Sequence, residues 1–393
     1  MTKAKSTDAS KGSASAGKAH DAVSVVEDIF AKASAAQASD IHFEPTGEGL
    51  VIKFRLDGVL STVEILPESL AENIVSRLKV LAGLLTYRSD IPQEGRIQIT
   101  GAPGGCVLDR RLAIFPTIHG QRAVVRIFLA DPAISELDQL GLGGHILPAL
   151  KAMAASSQGV LLLTGPAGSG KSTTLAALLR HIVHHFPGKS IVTLEDPVER
   201  VIAGATQVQI TAQGTMTFPL ALRSLLRQDP EVLMIGEIRD AETAKIGILA
   251  GLTGHLLMST MHSGNPAGAL LRLLEMGIEP YQVTSSVLAV LNQRLVRRLC
   301  PACKARSGNS GPYKPVGCDA CLGTGFKGRA LVAEMVRLDG ALRKAILAKA
   351  DVEEMERILK ALQHVDLRQS GQGLVEQGVT SPEELDKVCG APA

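Results

Sequence analysis

The chain has no tryptophan, three tyrosines and eight phenylalanines, so aromatic residues make up only 3% of it. A channel that strips and stacks single-stranded nucleic acid needs aromatic platforms and a basic groove. The platforms are missing, and the charge balance gives no groove: 41 lysines and arginines against 39 aspartates and glutamates leave +2. No strong field toward nucleic acid or anionic lipid is written into the composition. No apolar run approaches the ~20 residues of a membrane span. Residues 1–20 are small and polar with no apolar h-region, so no secretory leader is expected. The chain is therefore expected to be cytoplasmic and to meet a membrane only through partners. Six cysteines are few for 393 residues. In a cytosolic chain they argue for a metal site before disulfides.

What is present is enough for a folded, multidomain protein. Hydrophobic residues at 45% and charged ones at 20% exclude disorder throughout, and the length suggests two or three domains. Residues 1–20 read as a disordered tail. Over 21–37, Val23, Val26, Ile29, Phe30 and Ala33 recur at helical spacing behind a candidate N-cap, Asp21. The period then changes to two. Leu50, Ile52, Phe54 and Leu56 alternate with polar neighbours up to Asp57-Gly58, and Val59-Leu60 resumes the apolar signal, which predicts a hairpin. A second helix is expected over 68–84. A second strand pair is expected over 107–115 and 122–128, joined through Pro116 to Gln121. Residues 21–130 thus read as a small α+β domain.

From 131 onward short apolar strands alternate with amphipathic helices. Strands are expected at Val160–Thr164, Ser190–Glu195, Glu231–Ile235 and His255–Thr260. Helices are expected near 145–156, 171–185, 218–228 and 240–252. This is the pattern of a doubly wound α/β domain. The division is 131–299 for this domain, 300–328 for a cysteine-rich segment set into helical sequence, and 329–393 for a mainly helical end.

Gly165-Pro166-Ala167-Gly168-Ser169-Gly170-Lys171-Ser172 fits G-x-x-x-x-G-K-[ST]. Its glycines let backbone N–H groups wrap a phosphate. Lys171 offers a point charge to the β/γ-phosphates and Ser172 a hydroxyl to Mg²⁺. A strand enters the loop, and the helix that leaves it through Thr173 aims its positive end at the phosphates. ATP and Mg²⁺ are the expected ligands. Such a domain needs a carboxylate at a neighbouring strand end. Val232-Leu233-Met234-Ile235-Gly236-Glu237 supplies Glu237, one residue later than usual, and Leu194-Glu195-Asp196-Pro197-Val198-Glu199 supplies Glu195. Two carboxylates suggest one for the metal and one for water. His255 and His262 frame the next strand. Most isolated histidines are core or strand-end residues, and a spacing of seven lets at most one face the nucleotide as a γ-phosphate sensor.

Cys300-x2-Cys303-x14-Cys318-x2-Cys321 is close to the spacing of a four-thiolate zinc site. Four thiolates leave no open position, so the expected Zn²⁺ is structural. A redox pair is the alternative. Gly323, Gly325 and Gly328 form a G-x-G-x-x-G string, but it follows a Cys-x-x-Cys turn rather than a strand, so it is not read as a dinucleotide site. Cys106 and Cys389 are expected to be ordinary small residues.

Taken together these motifs resemble the secretion ATPase superfamily, which drives type II secretion and type IV pilus assembly. Ala38-Ser39-Asp40-Ile41-His42-Phe43-Glu44-Pro45 with Phe54-Arg55-Leu56-Asp57-Gly58 resembles the family's opening domain, as do Ile91–Ile97 and Phe115–Gly120. Leu194–Glu199 resembles its Asp box, Leu226–Asp240 its atypical Walker B, and Gly254–His262 its His box. Asn292–Cys300 leads into the zinc loop as in the family. The resemblance implies a RecA-like P-loop domain preceded by a small PAS-like α+β domain. It implies a homohexameric ring with nucleotide between the two domains. Arg111 and Arg126 match the arginines that close on the phosphates. The implied partner is a polytopic inner-membrane platform protein that extrudes pilin or pseudopilin subunits. The zinc loop points to the secretion and pilus-extension branch. A RecA-like nucleic-acid translocating motor is the alternative, and the composition speaks against it.

Overall fold

The computed structural model describes residues 21–97, 109–128, 136–211, 214–308 and 311–390. The expected tail 1–20, Cys106, residues 107–108 of an expected strand and the boundary near 130 lie outside them. The chain divides into two units, 1–129 and 130–393.

In the first unit, helix α1 (Ala22–Ala35) precedes a meander of β1 (Asp40–Thr46), β2 (Gly49–Leu56) and β3 (Val59–Leu66). Helix α2 (Glu68–Leu81), β4 (Gln93–Ile97), β5 (Asp109–Thr117) and β6 (Gly120–Phe128) follow. The six strands form one antiparallel sheet in the order β3-β2-β1-β6-β5-β4. Period-two alternation sends Ile41, Phe43, Ile52, Phe54, Leu112, Ile114, Ala123 and Val125 to one face. There they pack against Val26, Ile29 and Phe30 of α1 and Ile74 and Leu78 of α2. The other face is polar and carries Asp40, Arg111 and Arg126. Asp57 and Gly58 both take positive φ, 49° and 90°, the mirror-image turn that suits the strands' twist.

After a short 3₁₀ helix at Leu137–Leu140, the second unit runs through α3 (Ile146–Ala154), β7 (Gly159–Thr164), α4 (Lys171–His185), β8 (Ile191–Glu195) and β9 (Thr206–Gln209). It continues with α5 (Phe218–Leu225), β10 (Val232–Ile235), α6 (Ala241–Leu252), β11 (Leu256–Met261), α7 (Pro266–Glu275) and α8 (Pro280–Ser286). The long β12 (Val287–Leu299), the short pair β13 (Ala305–Arg306) and β14 (Tyr313–Lys314), and β15 (Phe326–Arg337) come next. Helices α9 (Gly340–Leu347), α10 (Val352–Ala361), α11 (Leu367–Glu376) and α12 (Pro382–Cys389) complete it. Seven strands form a sheet in the order β15-β12-β7-β11-β10-β8-β9, parallel except for β15. Successive β7 residues serve opposite layers: Val160 and Leu162 join one core, Leu161 and Leu163 the other. A strand covered on both faces reads as an unbroken apolar run, as this one does.

Several sequence expectations are corrected here. The sequence flanking the cysteines is not helical. β12 and β15 pair over Ala289–Leu299 and Phe326–Arg337, so the main sheet draws on residues beyond 299, and 329–337 is strand. Both strands are buried along much of their length, which hides the alternation that would mark them. β1 and β4 are strands that the pattern did not announce. The expected loop from Pro116 to Gln121 shrinks to Ile118 and His119, because pairing continues to Thr117 and Gly120. Helix α2 stops at Leu81, followed by Gly83 at φ 66°. Asp21 occupies the N-cap position of α1, but its side chain makes no capping bond.

Helices α11 and α12 close a small core with Val296, Ala330 and Val332. The junction is a buried ion pair. Arg297 Nε and Nη2 donate to Glu384 at 2.9 and 2.6 Å, and the guanidinium lies 3.9 Å from the Phe326 ring centroid. Removing one partner leaves the other charge buried alone. Glu384→Ala is therefore expected to cost about 3–5 kcal/mol, read by urea denaturation of the purified protein.

Candidate functional site

Strand β7 delivers the chain into the 165–170 turn, and α4 begins at Lys171. Gly165 stands at φ 140°, and a Cβ there would come within 2.5 Å of the Gln293 carbonyl oxygen on β12. Only glycine fits both the dihedral and the space. Gln293 is fully buried and its Nε2 donates to the Ser169 carbonyl at 2.8 Å, so β12 supports the loop from beneath. Lys171 Nζ donates to the carbonyls of Gly165 and Pro166 at 2.8 and 2.9 Å. Burial pulls the Lys171 pKa below its ordinary value, and the nearby Glu237 carboxylate works against that shift. The Ser169 hydroxyl is buried beneath the loop, on the Gly165 side next to β12, and has no protein partner.

Above the loop lies a cavity of about 440 Å³, lined by Ala167 to Thr173 on one side. Across it stand Glu195, Asp196, Glu199, Glu237 and His262, with Arg200, Arg239 and Arg329. Gly165 and Pro166 shape the turn without lining the cavity. Glu195 ends β8 and is 9% exposed; its Oε1 accepts from Thr193 Oγ1 at 2.6 Å and Gln207 Nε2 at 3.0 Å. Glu237 follows β10. Its Oε1 lies 3.0 Å from His262 Nε2, and its Oε2 accepts from Arg239 Nε at 2.7 Å. His262 follows β11 and reaches into the cavity. His255, at the other end of that strand, turns its Nδ1 to the Ala250 carbonyl at 3.1 Å. Of the two histidines only His262 lines the cavity. Arg329 and Leu295 line it from β15 and β12, strands that the sequence did not reveal, which is why both went unnoticed.

Arg111 and Arg126 belong to the first unit. They are cross-strand partners on the polar face of its sheet and line a cavity of about 590 Å³ with Asp40, Glu94 and Arg96. Their neighbour Arg110 points the opposite way, over the Phe30 ring at 4.2 Å, where burial lowers its pKa.

The four cysteines converge. Their Sγ atoms all lie within 4.8 Å of one another, with Cys300–Cys318 at 3.9 Å and Cys303–Cys321 and Cys318–Cys321 at 3.8 Å. A tetrahedral ion with metal–sulfur bonds of about 2.3 Å needs edges of about 3.8 Å, so the set fits zinc. Backbone N–H groups point at the sulfurs: Gly317 at Cys303, and Cys318 and Gly325 at Cys321, between 3.2 and 3.3 Å. Burial opposes ionisation of Cys321, but its N–H donors prevail and hold it at about 6. Gly323 and Gly325 turn within this loop and Gly328 lies near the start of β15, all at positive φ, and they form no strand-to-helix nucleotide turn. Cys389 packs in the small core with Val375 and Leu385, and burial pushes its thiol up to about 11.

The family model described as "Type II/IV secretion system protein" matches residues 16–387. The chain is 38% identical over 377 residues to the type IV pilus assembly ATPase PilB of Thermus thermophilus, covering 92% of this chain and 42% of that protein. It is 40% identical over 381 residues to the type II secretion system ATPase E of Vibrio cholerae, covering 93% and 75%. It thus spans less than half the length of the first relative and three-quarters of the second. Among solved structures, the Legionella pneumophila ATPase DotB superposes with a TM-score of 0.69 at 21% identity, covering 92% and 94%. The pilus retraction motor PilT with bound ADP superposes with a TM-score of 0.61 at 23% identity, covering 94% and 97%. These two likenesses speak for the fold. The phosphate loop, the carboxylates across from it and the match over nearly the whole chain agree: the chain belongs to the type II/IV secretion system protein family.

Proposed function

We propose that the chain is a Mg²⁺-dependent ATPase that works as a homohexameric motor in the cytoplasm. It acts on a polytopic inner-membrane platform protein and drives extrusion of pilin or pseudopilin subunits, in type II secretion or type IV pilus assembly. The observation that carries this reading is the single cavity in which the phosphate loop faces Glu195, Glu237 and His262. The names of the relatives, a pilus assembly ATPase and a secretion ATPase, support it. No described helix is long and apolar enough to cross a membrane.

In this reading the loop amides and Lys171 bind the β- and γ-phosphates. Ser172 and Glu237 would hold Mg²⁺, which when bound neutralises phosphate charge. Glu195 and Glu237 would divide the two carboxylate tasks, one serving the metal and one orienting the attacking water. His262, bonded to Glu237, reports the γ-phosphate to the strand end. Arg111 and Arg126 act as fingers that stabilise charge in the transition state, a contribution worth about 10³–10⁵ in rate where such fingers are known. The first unit is proposed as the PAS-like domain and the parallel sheet as the RecA-like core. Residues 300–328 are proposed as a structural Zn²⁺ module, because that segment has little apolar content to fold on otherwise. The partners are proteins, not nucleic acid.

Lys171→Ala is expected to abolish phosphate release from ATP, and near-normal turnover would refute the assignment. Elemental analysis is expected to find about one zinc per chain, bound tetrahedrally. Cys318→Ser should lower that content and expose 300–328 to protease; a folded protein with no zinc would sink the structural site. In the source cell, Lys171→Ala should remove surface fibres or secreted proteins. Loss of fibres alone identifies a pilus motor, and loss of secretion alone a type II motor. If both persist, the platform-driven role fails.

A further inference from the structure

The polar face of the first unit carries a charged row that runs straight across five strands. Arg55 on β2, Asp40 on β1, Arg126 on β6, Arg111 on β5 and Arg96 on β4 are successive cross-strand partners. Directly opposed side chains lie within about 5.5 Å at Cβ, and like charges so placed repel. Asp40 is the acid of this row. Its side chain is 7% exposed and sits between two guanidiniums: Oδ1 accepts from Arg126 Nε at 3.1 Å, and Oδ2 lies 3.2 Å from Arg55 Nε. Ser39 Oγ donates to the same Oδ2 at 2.8 Å, which fixes the carboxylate's plane.

The two partners differ in what they leave outside. The Arg126 side chain is 66% exposed although its Nε is bonded to a buried group. A guanidinium held at Nε keeps its direction while presenting its Nη end outward, the end that forks onto a phosphate. A long exposed side chain without such a hold loses much rotamer freedom each time it engages a ligand. From this geometry we infer that Asp40 is a positioning residue for hydrolysis, holding Arg126 pre-aimed and separating it from Arg55. The inference rests on the reading of Arg126 as a phosphate-directed finger. Asp40 touches no reacting atom and acts only through the arginine.

The test is a double-mutant cycle on the full-length protein, with steady-state turnover, nucleotide affinity and thermal unfolding measured for each variant. Asp40→Asn should lower kcat about tenfold and leave nucleotide affinity within about twofold, because the interaction lost is made in the transition state. In an Arg126→Ala background the same substitution should change kcat by less than about twofold, since the two residues act as one unit. Asp40→Glu is the second variant: it keeps the buried charge but displaces it by one methylene. Placement matters if turnover falls while the unfolding temperature holds. Wild-type turnover in both Asp40 variants overturns the inference. So does a full tenfold loss that persists in the Arg126→Ala background, which would make Asp40 merely structural. Wild-type turnover of Arg126→Ala itself overturns the finger reading, and the role of Asp40 with it.

Discussion

Strand β7 has to satisfy two parallel neighbours at once, and the register it adopts with them decides where the chemistry can be. Leu161 to Thr164 pair with Met258 to Met261 on β11 and with Ala289 to Asn292 on β12. Thr164, Met261 and Asn292 therefore reach the same level at the carboxyl edge of the sheet. The phosphate loop begins one residue beyond the first, His262 stands one beyond the second, and Gln293 one beyond the third. A slip of one residue would exchange the side chains of the two layers, and the close packing of both cores opposes it. The loop is thus placed between a histidine-bearing edge and a glutamine-bearing strand, and Gln293 holds it directly through Ser169.

The two carboxylates at that edge are well partnered, whereas Thr164 Oγ1, Ser169 Oγ and Gln293 Oε1 are buried there without a partner. Glu195 is held by Thr193 and Gln207, and Glu237 by His262 and Arg239. The segment after β11 is tied to β12 as well: Asn292 Nδ2 and Arg294 Nη2 both donate to the Gly264 carbonyl, at 3.1 and 2.8 Å. Asn292 also donates to Glu334 on β15 at 2.7 Å, and the other Glu334 oxygen lies 3.3 Å from His364. A continuous set of polar contacts therefore runs from the segment beside His262 to the connection between α10 and α11. Positions so constrained suit a site where charge must be met by groups already in place.

The cysteine module solves a different problem. It has almost no core; its four cysteine sulfurs converge, and it is tied to its surroundings by a few polar contacts. Cys300 N donates to the Gly325 carbonyl at 2.9 Å, and Lys304 Nζ to the Gly378 carbonyl at 2.8 Å. Lys304 and Arg306 both lie near the Tyr313 ring. The module hangs from the ends of β12 and β15, the same strands that send Leu295 and Arg329 to the cavity.

Local chemistry was legible from residue order. The phosphate loop, the strand ends at Glu195 and Glu237, the paired Cys-x-x-Cys turns and the Asp57-Gly58 hairpin each depend on a few neighbours in the chain. Their residue types leave few conformations open. The strands Val160–Thr164 and Glu231–Ile235 were visible because an apolar run between a turn and a helix start has one economical reading. What only the tertiary structure decided was whatever depends on pairing between distant segments. β12 and β15 carry mixed polar and apolar residues whose logic appears only when one is laid against the other. The support of the loop by Gln293, the entry of Arg329 into the cavity and the row from Arg55 to Arg96 all arise across strands far apart in sequence. No local period records such contacts, because the free energy that selects them is gained only when the sheets assemble.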